Sequence, residues 1–245
     1  MHPNMQKLII LDRVDSTNNY AMGMIHEGLA EHGSACFALE QTAGKGRRGK
    51  EWKSEAGKNI IISIILNMQP VNVYRQFELS IIASLACYDF LKKYVKNNLK
   101  IKWPNDLFWN DSKAGGILIE SVIKGEIWQY AVIGIGININ QLLFNYQHPG
   151  AVSIQQITGE EYNVLDMAED IRAILVSKYE ELKQNGIREF FTEYNQLLYK
   201  LNENVRLKKD NAIFETTIKG ISPFGQLMTF DTIERVFDFD EVVWC

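Results

Sequence analysis

Residues 59–66, NIIISIIL, open on Asn59 and are otherwise apolar and β-branched except for Ser63 and Leu66, which is the signature of a strand buried in a sheet. Such a strand cannot stand alone, because its backbone groups need partners and its faces need cover. The rest of the chain offers both. Strands are expected at residues 8–11 and 34–40, and residues 101–140 again read as extended, with Lys124-Gly125 suiting a hairpin turn between two long strands. Cover is expected from a helix that starts at the capping cluster Asp15-Ser16-Thr17-Asn18. A long amphipathic helix over residues 77–95 has Phe77, Ile81, Leu85 and Tyr88 on one face, with Ile82, Ala86 and Phe90 beside them. Two further helical segments follow Pro149 and Gly150, at residues 165–182 and 187–201.

Short strands then run to the end, at about 204–208, 212–220, 226–230, 233–237 and 242–244, with turn signals at Ser222-Pro223-Phe224-Gly225. The expected architecture is therefore α+β: a mixed or antiparallel sheet with helices in residues 1–201, and a small β-barrel-like module in residues 202–245. A length of 245 residues suits one sizeable domain and a small one.

The net charge of -4 argues against general affinity for nucleic acid, which draws on a basic surface, but leaves room for a local basic site. Cys36, Cys87 and Cys245 form no CxxC pair and are odd in number, which fits a reduced, cytoplasmic setting. No run approaches the roughly 18 apolar residues of a membrane helix. His2, His26, His32 and His148 are scattered without ligand spacing and receive no role.

Residues 41–52, QTAGKGRRGKEW, place Lys45, Arg47, Arg48 and Lys50 among Gly44, Gly46 and Gly49. Glycines permit close backbone approach, and the cations supply charge for an anion. Gly44-x-Gly46-x-x-Gly49 matches a dinucleotide fingerprint, but that motif must open a helix, and the next element here is the strand at Asn59. A P-loop reading also fails, because Glu51 stands where Ser or Thr should hold magnesium. The remaining alternatives are a solvated charged loop or an anion site of another kind.

A second cluster, Lys102-Trp103-Pro104-Asn105-Asp106, is followed by Lys113-Ala114-Gly115-Gly116-Ile117-Leu118-Ile119-Glu120. Pro104 ends the strand pairing and puts Asn105 and Asp106 at a bend, while Asn110 and Asp111 read as ordinary turn residues. The small residues after Lys113 would let a ligand lie against the backbone. In the third cluster, residues 134–140, Gly134 and Gly136 alternate on one strand face and clear space there, and Asn138 and Asn140 are expected to close it.

Taken in order, Ser16-Thr17-Asn18, Gln41 with GKGRRGKEW, KWPND, KAGGILIE and GIGININ resemble the biotin protein ligases, over a stretch from about residue 9 to the C-terminus. The resemblance implies a biotin/lipoate ligase catalytic domain with a small C-terminal SH3-like module. It implies that Ser16, Thr17, Asn18, Gln41, Gly44, the backbone at Lys45 and Gly46, Gly115 and Gly116 contact biotin. Arg47, Arg48, Lys50, Trp52, Asn105 and Asn138 would contact ATP or the adenylate, Trp52 stacking near adenine. Lys113 and Arg47 would be the catalytic cations, each contacting both biotin and the ATP or adenylate, and Asp106 a magnesium or phosphate-network residue. Lys at positions 45 and 50, where the family often has Arg, keeps charge but not the planar fork.

By the same resemblance the substrates are biotin and ATP with Mg²⁺, and the acceptor is a lysine of a biotin carboxyl carrier protein. The first motif begins at Ser16, which leaves no expectation of the DNA-binding repressor domain carried by bifunctional members, and so none of a DNA partner. A homodimer through the sheet edge near residues 121–128 is an expected possibility. The alternatives are a lipoate–protein ligase or related acyltransferase, and a non-catalytic biotin-sensing or protein-binding module.

Overall fold

In the structure, a computed structural model, residues 8–144 and 150–245 are described; His2, His148 and Pro149 lie outside them. The first sheet contains β1 (Leu8–Val14), β2 (Ala35–Gln41), β3 (Ile60–Asn67), β4 (Leu99–Lys102), β5 (Asp106–Trp109), β6 (Ser112–Lys124) and β7 (Ile127–Ile137). Their order is β1-β2-β3-β7-β6-β5-β4, with β1 parallel to β2 and every other pair antiparallel. The expected hairpin is present at Lys124-Gly125, where Gly125 has a φ of 60°. β5 accompanies β6 only as far as Gly116, so residues 118–124 leave the outer edge of β6 without a strand partner among the described residues.

The run at residues 59–66 is the reason the sheet is covered on both faces. Ile60, Ile62, Ile64 and Leu66 point into the main core, while Ile65 belongs to a second apolar cluster with Ala21, Cys36 and Val132. That second face is covered by α1 (Thr17–His26). The main face is covered by α2 (Gln76–Lys92) and α4 (Val164–Asn185), with α5 (Arg188–Gln196) packed on α2.

Three elements differ from expectation. α2 is not amphipathic: Leu79, Ala83, Cys87 and Leu91 are buried as well as Phe77, Ile81 and Leu85, because the helix is enclosed by the sheet, α4 and α5. The last helical segment stops at Gln196, where the edge of β4 captures the backbone: Ile101 N–H donates to Leu197 C=O at 3.0 Å and Tyr199 N–H to Ile101 C=O at 2.8 Å. α3 (Ile154–Thr158) was not anticipated, although its capping box of Ser153 and Gln156 and its left-handed Gly159 are sequence signals.

The chain ends in a five-stranded antiparallel sheet of β8 (Asn204–Lys209), β9 (Ala212–Ile221), β10 (Leu227–Phe230), β11 (Glu234–Phe237) and β12 (Val243–Trp244), in the order β11-β10-β9-β8-β12. Its apolar side is continuous with the main core, since Leu207, Ile218, Leu227, Phe237 and Val242 belong to the same buried cluster as Ile60 and Phe90. No helix among the described residues is long and apolar enough to cross a membrane.

Candidate active site

The face of the sheet that α1 covers is left partly open by glycine. Register sets Ile61 beside Gly136, Gly136 beside Gly116 and Gly116 beside Asp106, while Ser63, Gly134 and Leu118 form the next row. The missing Cβ atoms make a floor on which other side chains rest. A Cβ at Gly134 would collide with the amide of Asn18, one at Gly136 with the indole of Trp52, and one at Gly116 would lie 3.2 Å from both Asp106 Oδ1 and Lys113 Nζ. A cavity of about 720 Å³ opens over this floor.

Over Gly134 the side chains of Ser16, Thr17, Asn18 and Gln41 are polar and uncharged, bordered by the Lys45–Glu120 ion pair. Ser16 occupies the N-cap of α1, yet its hydroxyl makes no capping bond and is buried, so the expected cap is not what holds it there. Thr17 donates to Gln41 Oε1 from its backbone N–H at 2.7 Å and from its hydroxyl at 3.1 Å. Ser63 Oγ lies 2.8 Å from Thr17 Oγ1 and 2.5 Å from Asn18 Oδ1, and Asn18 Nδ2 donates to Glu120 Oε2 at 2.6 Å. The network leaves these side chains with fixed rotamers beside the cavity.

Over Gly136 and Gly116 the lining is cationic. Lys113 Nζ sits 2.7 Å from Asp106 Oδ1 and 5.7 Å from the centre of the Trp52 ring. Trp52 Nε1 is buried without a hydrogen-bond partner among the described residues, an N–H that a polar ligand could satisfy. The glycine-basic loop folds back on itself, with Trp52 N–H donating to Gly44 C=O at 2.9 Å and Gly46 N–H to Lys50 C=O at 2.7 Å. Its tip turns through Arg48 and Gly49, both with positive φ, of 57° and 68°. Burial, and then the charge of neighbouring Arg48, pulls the Arg47 guanidinium below its ordinary pKa, against the pull of Asp106.

Fifteen of the seventeen sequence-selected residues line this one cavity: Ser16, Thr17, Asn18, Gln41, Lys45, Gly46, Arg47, Arg48, Lys50, Trp52, Asn105, Asp106, Lys113, Gly116 and Asn138. Gly44 and Gly115 do not. Gly44 lies under Trp52, where a Cβ would strike the Trp52 carbonyl, and a Cβ at Gly115 would come within 2.9 Å of the Gly136 carbonyl, so both glycines serve chain packing. Three further groups are more committed than expected. The Gly46 N–H is taken by Lys50; Asn138 Nδ2 donates to the carbonyls of Lys113 and Val152 at 3.3 and 3.2 Å; Asn105 Nδ2 donates to Ile117 C=O at 2.6 Å. Asn140 does not close the floor, because it ties down the backbone of Tyr162 instead.

Lys102, Asp240 and Trp244 were missed. Lys102 Nζ lies 4.4 Å from the Phe108 ring centre, 4.9 Å from that of Trp244 and 5.4 Å from that of Tyr199. Burial lowers its pKa, with Asp106 opposing and Lys113 reinforcing the shift. It stands inside the KWPND motif and was legible there, whereas Asp240 and Trp244 arrive from the C-terminal module and carry no local signal. In all, Lys45, Arg47, Arg48, Lys50, Lys53, Lys102 and Lys113 face three lining carboxylates, Glu51, Asp106 and Asp240. A chain of net charge -4 thus concentrates positive charge at one cavity. Among the described residues no group of three or more His, Cys, Asp or Glu is placed to hold a metal ion. Asp106, the one residue considered for that role, is engaged by Lys113.

A family model for biotin/lipoate A/B protein ligases matches residues 10–138. The chain is 33% identical over 226 residues to the biotin–[acetyl-CoA-carboxylase] ligase of Paracoccus denitrificans, covering 89% of this chain and 92% of that one. It is 30% identical to the bifunctional ligase/repressor BirA of Escherichia coli, covering 89% of this chain and 68% of that one. Its fold matches that of the biotin protein ligase from Aquifex aeolicus solved in complex with biotin and ATP, with a TM-score of 0.81, 24% identity and 98% of each chain covered. The chain belongs to the biotin/lipoate A/B protein ligase family, and is a ligase.

Proposed function

We propose that this ligase activates biotin with ATP as biotinyl-5′-adenylate and transfers the acyl group to a lysine of a biotin carboxyl carrier protein. The observation that carries the reading is the two-part lining of one cavity. Uncharged, hydrogen-bonding side chains (Ser16, Thr17, Gln41) lie over Gly134, suited to a ureido ring, and a cation cluster lies beside them over Gly136 and Gly116, suited to a carboxylate and a triphosphate. The names of the relatives from Paracoccus denitrificans and Escherichia coli, and the biotin and ATP bound by the Aquifex aeolicus enzyme, support the same reading.

In the first step a biotin carboxylate oxygen attacks the α-phosphorus of ATP and pyrophosphate leaves. Both reactants are anions, so the barrier includes their mutual repulsion. Lys113 and Arg47 offset it by gathering both charges in a partly desolvated site. Asp106 holds Lys113 while no phosphate is bound and yields it when one arrives. Were Mg²⁺ to accompany the triphosphate, Asp106 would be the carboxylate to share it once released from Lys113, and the ion would offset phosphate charge, since Mg²⁺ takes one or two carboxylates together with phosphate oxygens. In the second step a neutral lysine amine attacks the acyl carbon, an amide forms and AMP leaves. Trp52 is assigned to adenine and the loop at residues 45–50 to the cover that keeps water from the anhydride. The open outer edge of β6 is where we place a homodimer contact.

The deciding experiment incubates the protein with ATP, Mg²⁺ and either biotin or lipoate, with and without a carrier domain, and follows pyrophosphate release and acyl transfer. Biotin-dependent release and labelling of the carrier are expected. Release that responds to lipoate alone would assign the other branch of the family, and biotin binding without any release would make the chain a sensing module.

A further inference from the structure

The turn at residues 238–241 links β11 to the last strand and reaches across to the glycine-basic loop. Asp240 Oδ1 lies 2.7 Å from Arg48 Nε and 3.3 Å from Arg47 Nη2, and the Asp240 carbonyl accepts a further hydrogen bond from Arg48 Nη2. The Arg47 guanidinium sits 5.3 Å over the ring of Phe239, which is itself stacked on Trp103 at 5.5 Å and 11°. The two arginines of the loop are therefore held by the C-terminal module.

The turn that presents Asp240 is shaped without help from the loop. Gln226 Nε2 donates to Asp238 Oδ1 at 2.9 Å, Asp238 N–H to Glu241 Oε2 at 2.8 Å, and Lys209 Nζ to Glu241 Oε1 at 3.0 Å. Asp240 itself has a φ of 76°, a left-handed conformation that Asp and Asn tolerate better than most residues. The neighbouring carboxylates Asp238 and Glu241 are thus used within the module, and Asp240 alone of the three is turned onto the loop.

Two adjacent guanidiniums repel each other and need an anion. In a site that takes ATP that anion is phosphate, and in the free enzyme one must come from elsewhere. We propose that Asp240 is a built-in counter-anion, a positioning residue that occupies Arg47 and Arg48 in the free enzyme and surrenders them to the anionic groups of ATP and the acyl-adenylate. The inference rests on the proposed function for the identity of the competing anion, but not for the tether. The C-terminal module thereby sets how tightly the loop is held and how strongly ATP must compete for it. Partly exposed ion pairs of this kind are individually weak, so the competition shifts equilibria by about two- to tenfold and does not lock the site.

The test uses full-length Asp240→Asn, which keeps shape and left-handed tolerance while removing the charge, with Asp238→Asn as a control on the same turn and Asp240→Glu as a charge-restoring variant. Limited trypsin digestion of the ligand-free proteins reads the tether through cleavage after Arg47 and Arg48. Cleavage is expected to be several-fold faster in Asp240→Asn than in the parent, near parental in Asp238→Asn and partly restored in Asp240→Glu. Bound ATP with biotin should bring the Asp240→Asn rate back toward the parent's. Steady-state kinetics of pyrophosphate release should show a KM for ATP lowered about two- to tenfold in Asp240→Asn. Equal tryptic rates in parent and Asp240→Asn would overturn the tether, and a KM for ATP that rises would overturn the competition. If the protein were not an ATP-dependent ligase the kinetic arm would be silent in every variant while the tryptic arm still decided the tether. A melting temperature for each variant separates a loosened loop from a destabilised module.

Discussion

Ser63 and Lys113 do different work at neighbouring places. Ser63 does not line the cavity, but its hydroxyl has Thr17 on one side and Asn18 on the other, the two residues that hold the uncharged lining in place. Ser63→Ala removes one buried hydrogen bond, of about 0.5–1.5 kcal/mol, and should weaken biotin binding about two- to tenfold with little effect on turnover at saturation. Calorimetric titration with biotin, beside turnover at saturating biotin, checks both halves. Lys113 meets charge that matters most as the two anions approach. Lys113→Ala should lower the rate of pyrophosphate release about 10²–10³-fold while leaving biotin affinity within a few-fold of the parent. A loss of biotin affinity as large as the loss of rate would reassign Lys113 to ground-state binding.

Elements bring these residues together. β7 carries glycine at two successive positions on one face because Asn18 and the Trp52 indole occupy the volume their side chains would need. Gly136→Ala drives a methyl into Trp52, so either the indole leaves the floor or the strand shifts. Overpacking of this kind costs about 1–3 kcal/mol, and the variant should melt lower and show a raised KM for ATP if the indole is displaced. An unchanged Trp fluorescence spectrum with unchanged kinetics would count against that packing. In the second sheet, the turn between β10 and β11 is held by Asp231, whose carboxylate accepts from the backbone N–H of Ile233 at 3.1 Å, from Arg235 Nε at 2.9 Å and from Thr232 N–H. These bonds lower its pKa from 3.8 to about 2. A depressed carboxylate stabilises the fold above its unfolded pKa and loses that contribution as pH falls through the folded one. Asp231→Asn should therefore melt below the parent at pH 7, with the gap closing as pH falls from about 4 toward 2. Thermal melts of the pair across that range read it directly.

For the described residues as a whole, we infer that the larger domain and the terminal module at residues 202–245 act as one cooperative unit. Leu207, Ile218, Leu227 and Phe237 share the main buried cluster, Trp103 Nε1 donates to Gly225 C=O at 2.8 Å, and Phe239 stacks on Trp103. A seam built of core side chains gives the terminal module no separate stability to lose. A single calorimetric transition is expected, with equal calorimetric and van't Hoff enthalpies, and two resolved transitions would divide the chain at the seam.

Sequence alone determined most of the elements and most of the cavity's lining, for physical reasons that are local. Apolar periodicity, turn residues and capping signals act over a few positions, so the strand at residues 59–66 and the five terminal strands were legible to within a residue or two, and residues 101–140 were legible as extended though not as four separate strands. The clusters around Gln41, Lys113 and Gly134 were legible because glycine and charge at close spacing have few uses in a core. What only the tertiary structure decided depends on neighbours distant in the chain. α2 lost its exposed face because α4 and α5 pack on it; the last helix stopped at the edge of β4; Gly44 and Gly115 became packing positions; and Asp106 acquired Lys113 as a partner. Asp240 and Trp244 joined the site across the seam, about 190 residues from the loop that Asp240 holds. No local pattern encodes that meeting, because it arises when two apolar surfaces close on each other and carry their polar rims together.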